Sequence, residues 1–478
     1  MDVKFSLLDL WVVSPLIALF LFSIIPLTVK VFNENREGNP FVTMSIGLLG
    51  VILATGLIGT YKDISGIYFQ DALVIDGASV WLGFLIMGVT AVTLIFSREN
   101  MATRNRHFSE FVFLLLNAAI GMLVVVWSND LIIAFIGIEM MSLCLYVLIA
   151  LSSEERLSKE SAFKYFVLSS FASAVLLYGL AFIYGLAGTT YLHELVNRAP
   201  DLMGHNLLFT LGVVLAAVGL AFKVALVPFH AWAADVYQGA PTPITAFMAT
   251  GVKAVSFALF LRVVLAEVMV SPESQGLVHF LQWLAVLTML VGNIAAISQS
   301  HFKRMLAYSS VAHSGYVMMG LIAAGMAGPM GDLAIRSVLY YVTVYAVMTL
   351  GAFGVISLME KRSESSIHIE DLRGMAQRNP WVALFIAIFM LGLAGIPPTV
   401  GFFGKLYVFT AALDQKLYWL VFWGVVSSAI GLYYYLRPIV VMYMEEQGEG
   451  ADAVSSRQLT SFTVAMTALL VLFAGILF

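Results

Sequence analysis

The chain is predicted to be an all-α membrane protein of fourteen transmembrane helices, with two inverted five-helix repeats and broken helices 7 and 12. Three observations lead there: long uninterrupted apolar runs, a scarcity of charge, and two proline-interrupted runs that each carry a lysine. Of the 478 residues, 60% are hydrophobic and 11% charged, and the mean hydropathy is +0.93. A soluble fold cannot hide that much apolar surface from water. Lipid offers the backbone no hydrogen-bond partner, so each span must be a helix or belong to a closed barrel, and runs that are continuous rather than alternating select helices.

Apolar runs of about twenty residues begin near Leu8, Phe41, Ser79, Phe108, Leu131, Ala162, Leu207, Thr242, Leu277, Met305, Asp332, Trp381, Leu417 and Thr460. The first, Leu8 to Val31, is too long for a signal-peptide core and has only Lys4 before it, so it is expected to be a retained span. The expected organisation is three N-terminal helices over 1–107, a first repeat over 108–270, a second inverted repeat over 275–445 and a last helix within 446–478.

Loops of one parity collect fourteen of the 25 basic residues: Lys30, Arg36, Arg98, Arg104, Arg106, Arg156, Lys159, Lys303, Arg304, Lys361, Arg362, Arg373, Arg378 and Arg457. Lys62, Arg198, Arg336 and Lys416 belong to the other side. The positive-inside rule then puts the odd-numbered loops in the cytoplasm and both termini outside. The segment from Lys361 to Pro380 is the largest loop and is too short to fold alone.

Several function classes drop out. A net charge of −4, with basic residues scattered singly, gives no nucleic-acid surface. The single cysteine, Cys144, allows neither an intrachain disulfide nor an iron–sulfur cluster on four thiolates. No GxGxxG follows a strand, so NADH has no expected site here.

The informative charges lie inside spans: Glu139, Lys164, Lys223, Lys253, Arg262, Lys405 and Arg437. A lysine or glutamate at the bilayer centre costs about 2.5–3.5 kcal/mol, so such groups must face one another or water. Arg262 and Arg437, near span ends, have the simpler reading of snorkelling side chains. Glu139, deep in LIIAFIGIEMMSL, has a buried lysine as its natural partner, although structural glue is the plain alternative. Lys223 sits in VGLAFKVALVPFH, where Pro228 cannot donate to the helix ladder, so the seventh helix should break near Val227 and Pro228. The twelfth run, LGLAGIPPTVGFFGKLYVF, repeats the theme, with Gly395, Pro397 and Pro398 ahead of Lys405. Five spans separate the breaks, an odd number, as inverted repeats with a site at each break require. In the eighth span Ala246, Ala249, Lys253 and Ser256 form a small, polar stripe at helical spacing. His230 and His313 are either packed polar residues at helix breaks or members of a proton relay, since histidine titrates near neutrality.

At VPFHAWAADVYQGAPTPITAFMATGVKA, from Val227 to Ala254, the sequence resembles the proton-translocating membrane subunits of respiratory complex I and the related Mrp antiporters. EMMSL around Glu139, ESAFKYFVLSS around Lys164, NIAAISQSHFKRMLAYSSVAHSGY around His301 and His313, and GIPPTVGFFGKLYVF ahead of SAIGLYYYLR extend the resemblance over Phe108 to Tyr435. A lysine rather than a glutamate at position 405, an end at Phe478 without a long lateral helix, and the GLYYYLR run narrow it to the N-type branch. The resemblance implies that Glu139 and Lys223 form a charge pair, with Lys253 as the central relay and Lys405 as the terminal exchanger. Lys164, His230, His313 and Tyr434 match supporting positions, and Glu160 matches one that shares pairing with Lys164.

The mechanism expected from these residues is proton transfer. Burial disfavours a lysine's charged form and a nearby carboxylate favours it, so moving Glu139 relative to Lys223 would load or release a proton. The proton would pass from Lys223 through Lys253 to Lys405, against a membrane potential worth about 2.3 kcal/mol per 100 mV. The resemblance implies a translocase subunit without its own redox centre in a bacterial inner membrane. K-type and M-type subunits would be its neighbours, and NADH, FMN, iron–sulfur clusters and quinone would be held by other subunits. An Mrp-type cation/proton antiporter subunit, a non-pumping scaffold whose charges fix helix register, and a related complex with another electron donor are the rival readings.

Overall fold

The computed structural model describes residues 6–32, 39–101, 107–151, 156–265, 275–327, 332–360, 367–446 and 457–477. Lys4, Arg36, Arg104, Arg106, Lys361 and Arg362 lie outside them. The described residues are mostly helical and divide into two compact units, Met1–Leu220 with Ala254–Val264, and Ala221–Lys253 with Leu265–Phe478. Ten helices among the described residues are long and apolar enough to cross a membrane, and three shorter apolar helices accompany them.

The first unit begins with α1 (Leu7–Phe32) and α2 (Pro40–Gly59), followed by a hairpin of β1 (Gly66–Tyr68) and β2 (Leu73–Ile75). It continues through α3 (Gly77–Met101), α4 (Phe108–Trp127), α5 (Leu131–Ala150), α6 (Arg156–Ala187), α7 (Leu192–His205) and most of α8 (Leu207–Lys223). Side chains close the exposed N–H groups at helix starts, as capping requires. Asn39 accepts from the Phe41 N–H ahead of α2, and Asp130 accepts from Ile132 and Ile133 ahead of α5. Arg262 pairs with Asp76 at 3.0 Å, just ahead of α3. Lys30, counted as a loop residue, reaches Glu110 at 2.6 Å.

Two elements were absent from the expected span list. The hairpin turns through Phe69, Gln70 and Asp71, all with positive φ, and is tied down by Asn129, whose N–H donates to the Ala72 carbonyl. In α7, Leu192, Leu195, Ala199 and Met203 form one buried face at helical spacing, the pattern of an amphipathic surface helix rather than a span. Close helix crossings in this unit use glycine. A Cβ on Gly121 would stand 2.8 Å from both the Gly137 carbonyl and the Met141 N–H, and one on Gly179 would stand 2.6 Å from Ala216 N.

The second unit holds α9 (Ala231–Gly239) and α10 (Thr242–Phe247), a π-helical turn over Met248–Val252, and Lys253, the first residue of α11 (Lys253–Phe260). Then come α12 (Gln275–Ile297), α13 (Phe302–Met326), α14 (Asp332–Met359), a short α15 (Met375–Arg378), α16 (Pro380–Ala394), α17 (Val400–Asp414), α18 (Tyr418–Met444) and α19 (Gln458–Leu477). Helix α13 is central: α9, α12, α14, α17 and α18 all pack on it, and it is buried along nearly its whole length. The end of the α12–α13 connection forms a bridge with the segment before α15. Phe302 N donates to the Ile367 carbonyl, Ile369 N donates to the Ser300 carbonyl, and the His301 and His368 rings lie 3.9 Å apart.

Two predictions follow from this packing. Gly121→Ala should force α4 and α5 apart at a backbone contact, costing about 1–3 kcal/mol as overpacking does, read as a lowered Tm and reduced yield of assembled protein. Partial burial, with His368 and Arg304 beside it, holds the His301 imidazole below its ordinary value. The unfolded chain therefore takes up a proton more readily, so this residue's contribution to stability is full above about pH 6.5 and is lost as the pH falls below it. The protection factors of the Phe302 and Ile369 amides, corrected for the intrinsic pH dependence of exchange, should fall on acidification, and His301→Gln should flatten that response.

Candidate functional site

Helix α8 ends at Lys223 in a left-handed turn. Ala225 has φ +57, its N–H donates to the Phe222 carbonyl, and the Leu226 N–H reaches back to the Ala221 carbonyl at 2.9 Å. This paired arrangement commonly ends helices on glycine. Alanine takes the left-handed conformation at a cost of about 1–2 kcal/mol. Pro228 follows three residues later, so the ladder cannot resume there. Side chains take up the freed groups. The Val224 carbonyl accepts from Ser314 Oγ at 2.7 Å, the Phe222 carbonyl from Trp232 Nε1 at 3.0 Å, and the Val227 N–H donates to Thr288 Oγ1 at 3.0 Å.

The second break repeats the turn. Gly395, with φ +83, ends α16; its N–H and that of Ile396 both reach the Leu391 carbonyl, and Pro398 again stands three residues on. Here the freed carbonyl of Ala394 accepts from Lys405 Nζ at 2.8 Å, and the same amine donates to Ser428 Oγ at 2.9 Å and sits 5.1 Å from the Tyr316 ring centre. The position-395 glycine is needed twice over, since a Cβ there would also meet Lys405 Cδ at 2.9 Å.

Lys253 follows the π-helical turn directly, and such bulges gather at functional sites. Its Nζ donates to the Ser310 carbonyl at 2.7 Å and to Ser314 Oγ at 2.8 Å. Ser314 thereby links Lys253 to the carbonyl freed at the first break. Ala246, Ala249, Lys253 and Ser256 are all buried, as is nearly all of the helix around them. Lys223, Lys253 and Lys405 are 1%, 3% and 7% exposed, so all three amines are held inside protein.

His313, about three turns into α13, lies between two phenols. Nδ1 is 2.8 Å from the Tyr341 hydroxyl and Nε2 is 3.0 Å from the Tyr435 hydroxyl, and the Tyr435 hydroxyl also bonds Ser309 Oγ. Tyr434 points elsewhere: its hydroxyl donates to Asn293 Oδ1 at 2.8 Å, and Asn293 donates to Ser427 Oγ at 2.6 Å. His230 is the half-buried residue before α9.

In the first unit, Glu139 is half-buried in α5 and accepts from Ser173 Oγ. Lys164 pairs with Glu160 at 2.8 Å one turn away on α6, with both side chains partly exposed. Sequence reasoning missed Ser310, Ser314 and Ser428, which hold the buried lysine amines, Tyr341 and Tyr435, which hold the imidazole, and Asn293, which holds Tyr434. It also missed the ion pairs Arg304–Asp235 at 2.7 Å and Lys303–Glu360 at 2.6 Å. Arg437 donates to the Gln299 carbonyl at 3.2 Å. Among the described residues no three His, Cys, Asp or Glu side chains gather as a metal site.

Comparison with known proteins places this arrangement. Residues 128–431 match the family described as NADH:quinone oxidoreductase/Mrp antiporter, TM. The NADH-quinone oxidoreductase subunit N of Bdellovibrio bacteriovorus is 47% identical, covering 99% of this chain and 97% of that protein. Subunit N of Granulibacter bethesdensis is 40% identical over 91% of this chain and 90% of that protein. A chain of respiratory complex I from Thermus thermophilus superposes with a TM-score of 0.81 at 32% identity, covering 97% of both chains. The Mrp complex from Dietzia shares the fold, with a TM-score of 0.76 at 20% identity, covering 98% of this chain and 94% of that one. The chain belongs to the NADH:quinone oxidoreductase/Mrp antiporter family, in its NADH-quinone oxidoreductase subunit N branch.

Proposed function

We propose that this chain is the proton-translocating N subunit of a bacterial NADH:quinone oxidoreductase, driven by quinone reduction in a partner subunit. The observation that carries the reading is the set of three lysine amines buried in one unit, two of them held by neutral acceptors and two lying at or against a helix break. Such breaks are how transporters place polar groups at membrane depth. Fourteen crossings are supported by the ten long helices together with α13, α19 and the two broken pairs α8–α9 and α16–α17. The shared turn geometry at Ala225 and Gly395 supports two inverted repeats over 108–270 and 275–445.

In this reading Lys223 takes up a proton from the cytoplasm, with Glu139 setting its affinity. Lys253 receives the proton and Lys405 releases it on the far side, where both termini lie. Lys164, His230, His313 and Tyr434 support the route. K-type and M-type membrane subunits are the neighbours, and NADH, FMN, iron–sulfur clusters and quinone are held by other subunits of the complex. The chain is a translocase component without a redox centre of its own, in the bacterial inner membrane.

The decisive test measures proton pumping and quinone reductase activity together in membranes carrying Lys223→Ala, with assembly of the complex verified. Both should collapse; activities near wild type in an assembled complex would overturn the relay and favour a scaffold. Gly395→Ala should displace Lys405 from the Ala394 carbonyl and lower pumping beyond what its backbone strain, about 1–2 kcal/mol, does to stability. Comparing pumping with the Tm of the assembled variant checks this.

A further inference from the structure

We infer that Tyr341 and Tyr435 carry the translocated proton on either side of His313, completing a hydroxyl–imidazole wire between the surroundings of Lys253 and those of Lys405. The inference rests on the proposed proton route and adds its missing middle.

Both ring nitrogens of His313 are hydrogen-bonded, each to a phenol, and the imidazole is buried. A neutral imidazole has one N–H and one bare nitrogen, so one phenol must donate to the ring while the other accepts from it. The chain of bonds therefore has a direction at any moment, and its two directions differ only in tautomer and hydroxyl orientation. Tyr435 extends it through Ser309, whose neighbour Ser310 offers its carbonyl to Lys253. Tyr341 extends it the other way, its ring packed where a Cβ on Gly404 would touch at 2.9 Å, next in sequence to Lys405.

Passage of one proton is balanced along this chain. A proton delivered to Ser309 Oγ displaces the serine's own proton onto the Tyr435 oxygen, and Tyr435 gives its proton to Nε2. The Nδ1–H proton then moves to the Tyr341 oxygen, and the Tyr341 proton leaves toward Lys405. Each oxygen loses one O–H bond and forms another, and the imidazole changes tautomer without net charge. Rotation of the hydroxyls and of the imidazole ring, which turns the protonated nitrogen toward the Tyr341 side and the bare one toward the Tyr435 side, resets the wire. Phenylalanine at either tyrosine keeps the ring packing and removes the hydroxyl bonded to that ring nitrogen.

The test uses the whole complex in its membrane, with Tyr435→Phe, Tyr341→Phe, Lys253→Met and, as a control, Tyr345→Phe, whose ring lies 4.9 Å from the imidazole. Pumping per quinone reduced should fall at least tenfold in Tyr435→Phe and Tyr341→Phe and stay near wild type in Tyr345→Phe. The residual turnover should show an enlarged solvent deuterium isotope effect, which a purely structural hydroxyl would not produce. Loss of pumping in Lys253→Met with normal pumping in both tyrosine variants would overturn the wire while leaving the lysine relay intact. Normal pumping in Lys253→Met as well would overturn the relay itself. If a phenylalanine variant fails to assemble, 3,5-difluorotyrosine at position 435 keeps the shape and makes the phenol more acidic. A changed isotope effect then supports the wire, and an unchanged one overturns it.

Discussion

The structure depends on one constraint: inside a membrane a backbone carbonyl or N–H released from a helix must find its partner within the protein. Both proline breaks release such groups, and their partners are side chains from other helices of the second unit. Ser314 and Trp232 serve the first break, and Lys405 serves the second. The same demand that keeps a broken helix stable thus fixes functional side chains. At the second break the lysine is itself the group that satisfies the carbonyl, so repairing the helix and placing the cation are one act of folding.

The way two of the buried amines are held also matters chemically. Lys253 and Lys405 donate only to carbonyl and hydroxyl oxygens, whereas many charges nearer the helix ends sit in ion pairs, such as Lys30–Glu110, Lys303–Glu360 and Arg304–Asp235. A carboxylate partner rewards the charged amine far more than the neutral one. A carbonyl accepts from either state, so the amine can lose its proton without losing its seat. The ion pairs, by contrast, suit fixed structural joints.

Much of this was legible in the sequence, and the reason is physical. Helix existence is written in apolar runs that lipid forces to be long, and the prolines at 228, 397 and 398 point to the breaks because each removes a donor from the ladder, although α1 and α18 carry Pro15, Pro26 and Pro438 without breaking. Buried lysines stand out for the same reason that they are costly. What could not be read were features with no compositional mark. The hairpin at 66–75 is only three residues per strand, and its turn uses Phe69, Gln70 and Asp71 rather than glycine. The amphipathic helix at 192–205 did carry a signal, Leu192, Leu195, Ala199 and Met203 on one face, but a search for spans passes over it. Tyr434 was singled out because it matches a supporting position of the family, and only the fold shows that the next residue, Tyr435, meets His313.

The π-helical turn ahead of Lys253 has a consequence for how this segment can vary. A π-turn holds one residue more than an α-turn, so side chains beyond it are rotated by about 100° from where an unbroken α-helix would put them. The sequences before and after Met248–Val252 therefore address different neighbours and answer to separate packing demands. Loss of a single residue in that turn would leave a perfectly regular helix, yet it would swing the ammonium group away from Ser310 and Ser314. In this part of the chain irregular backbone is the informative state, and a more ideal helix would be the damaged one.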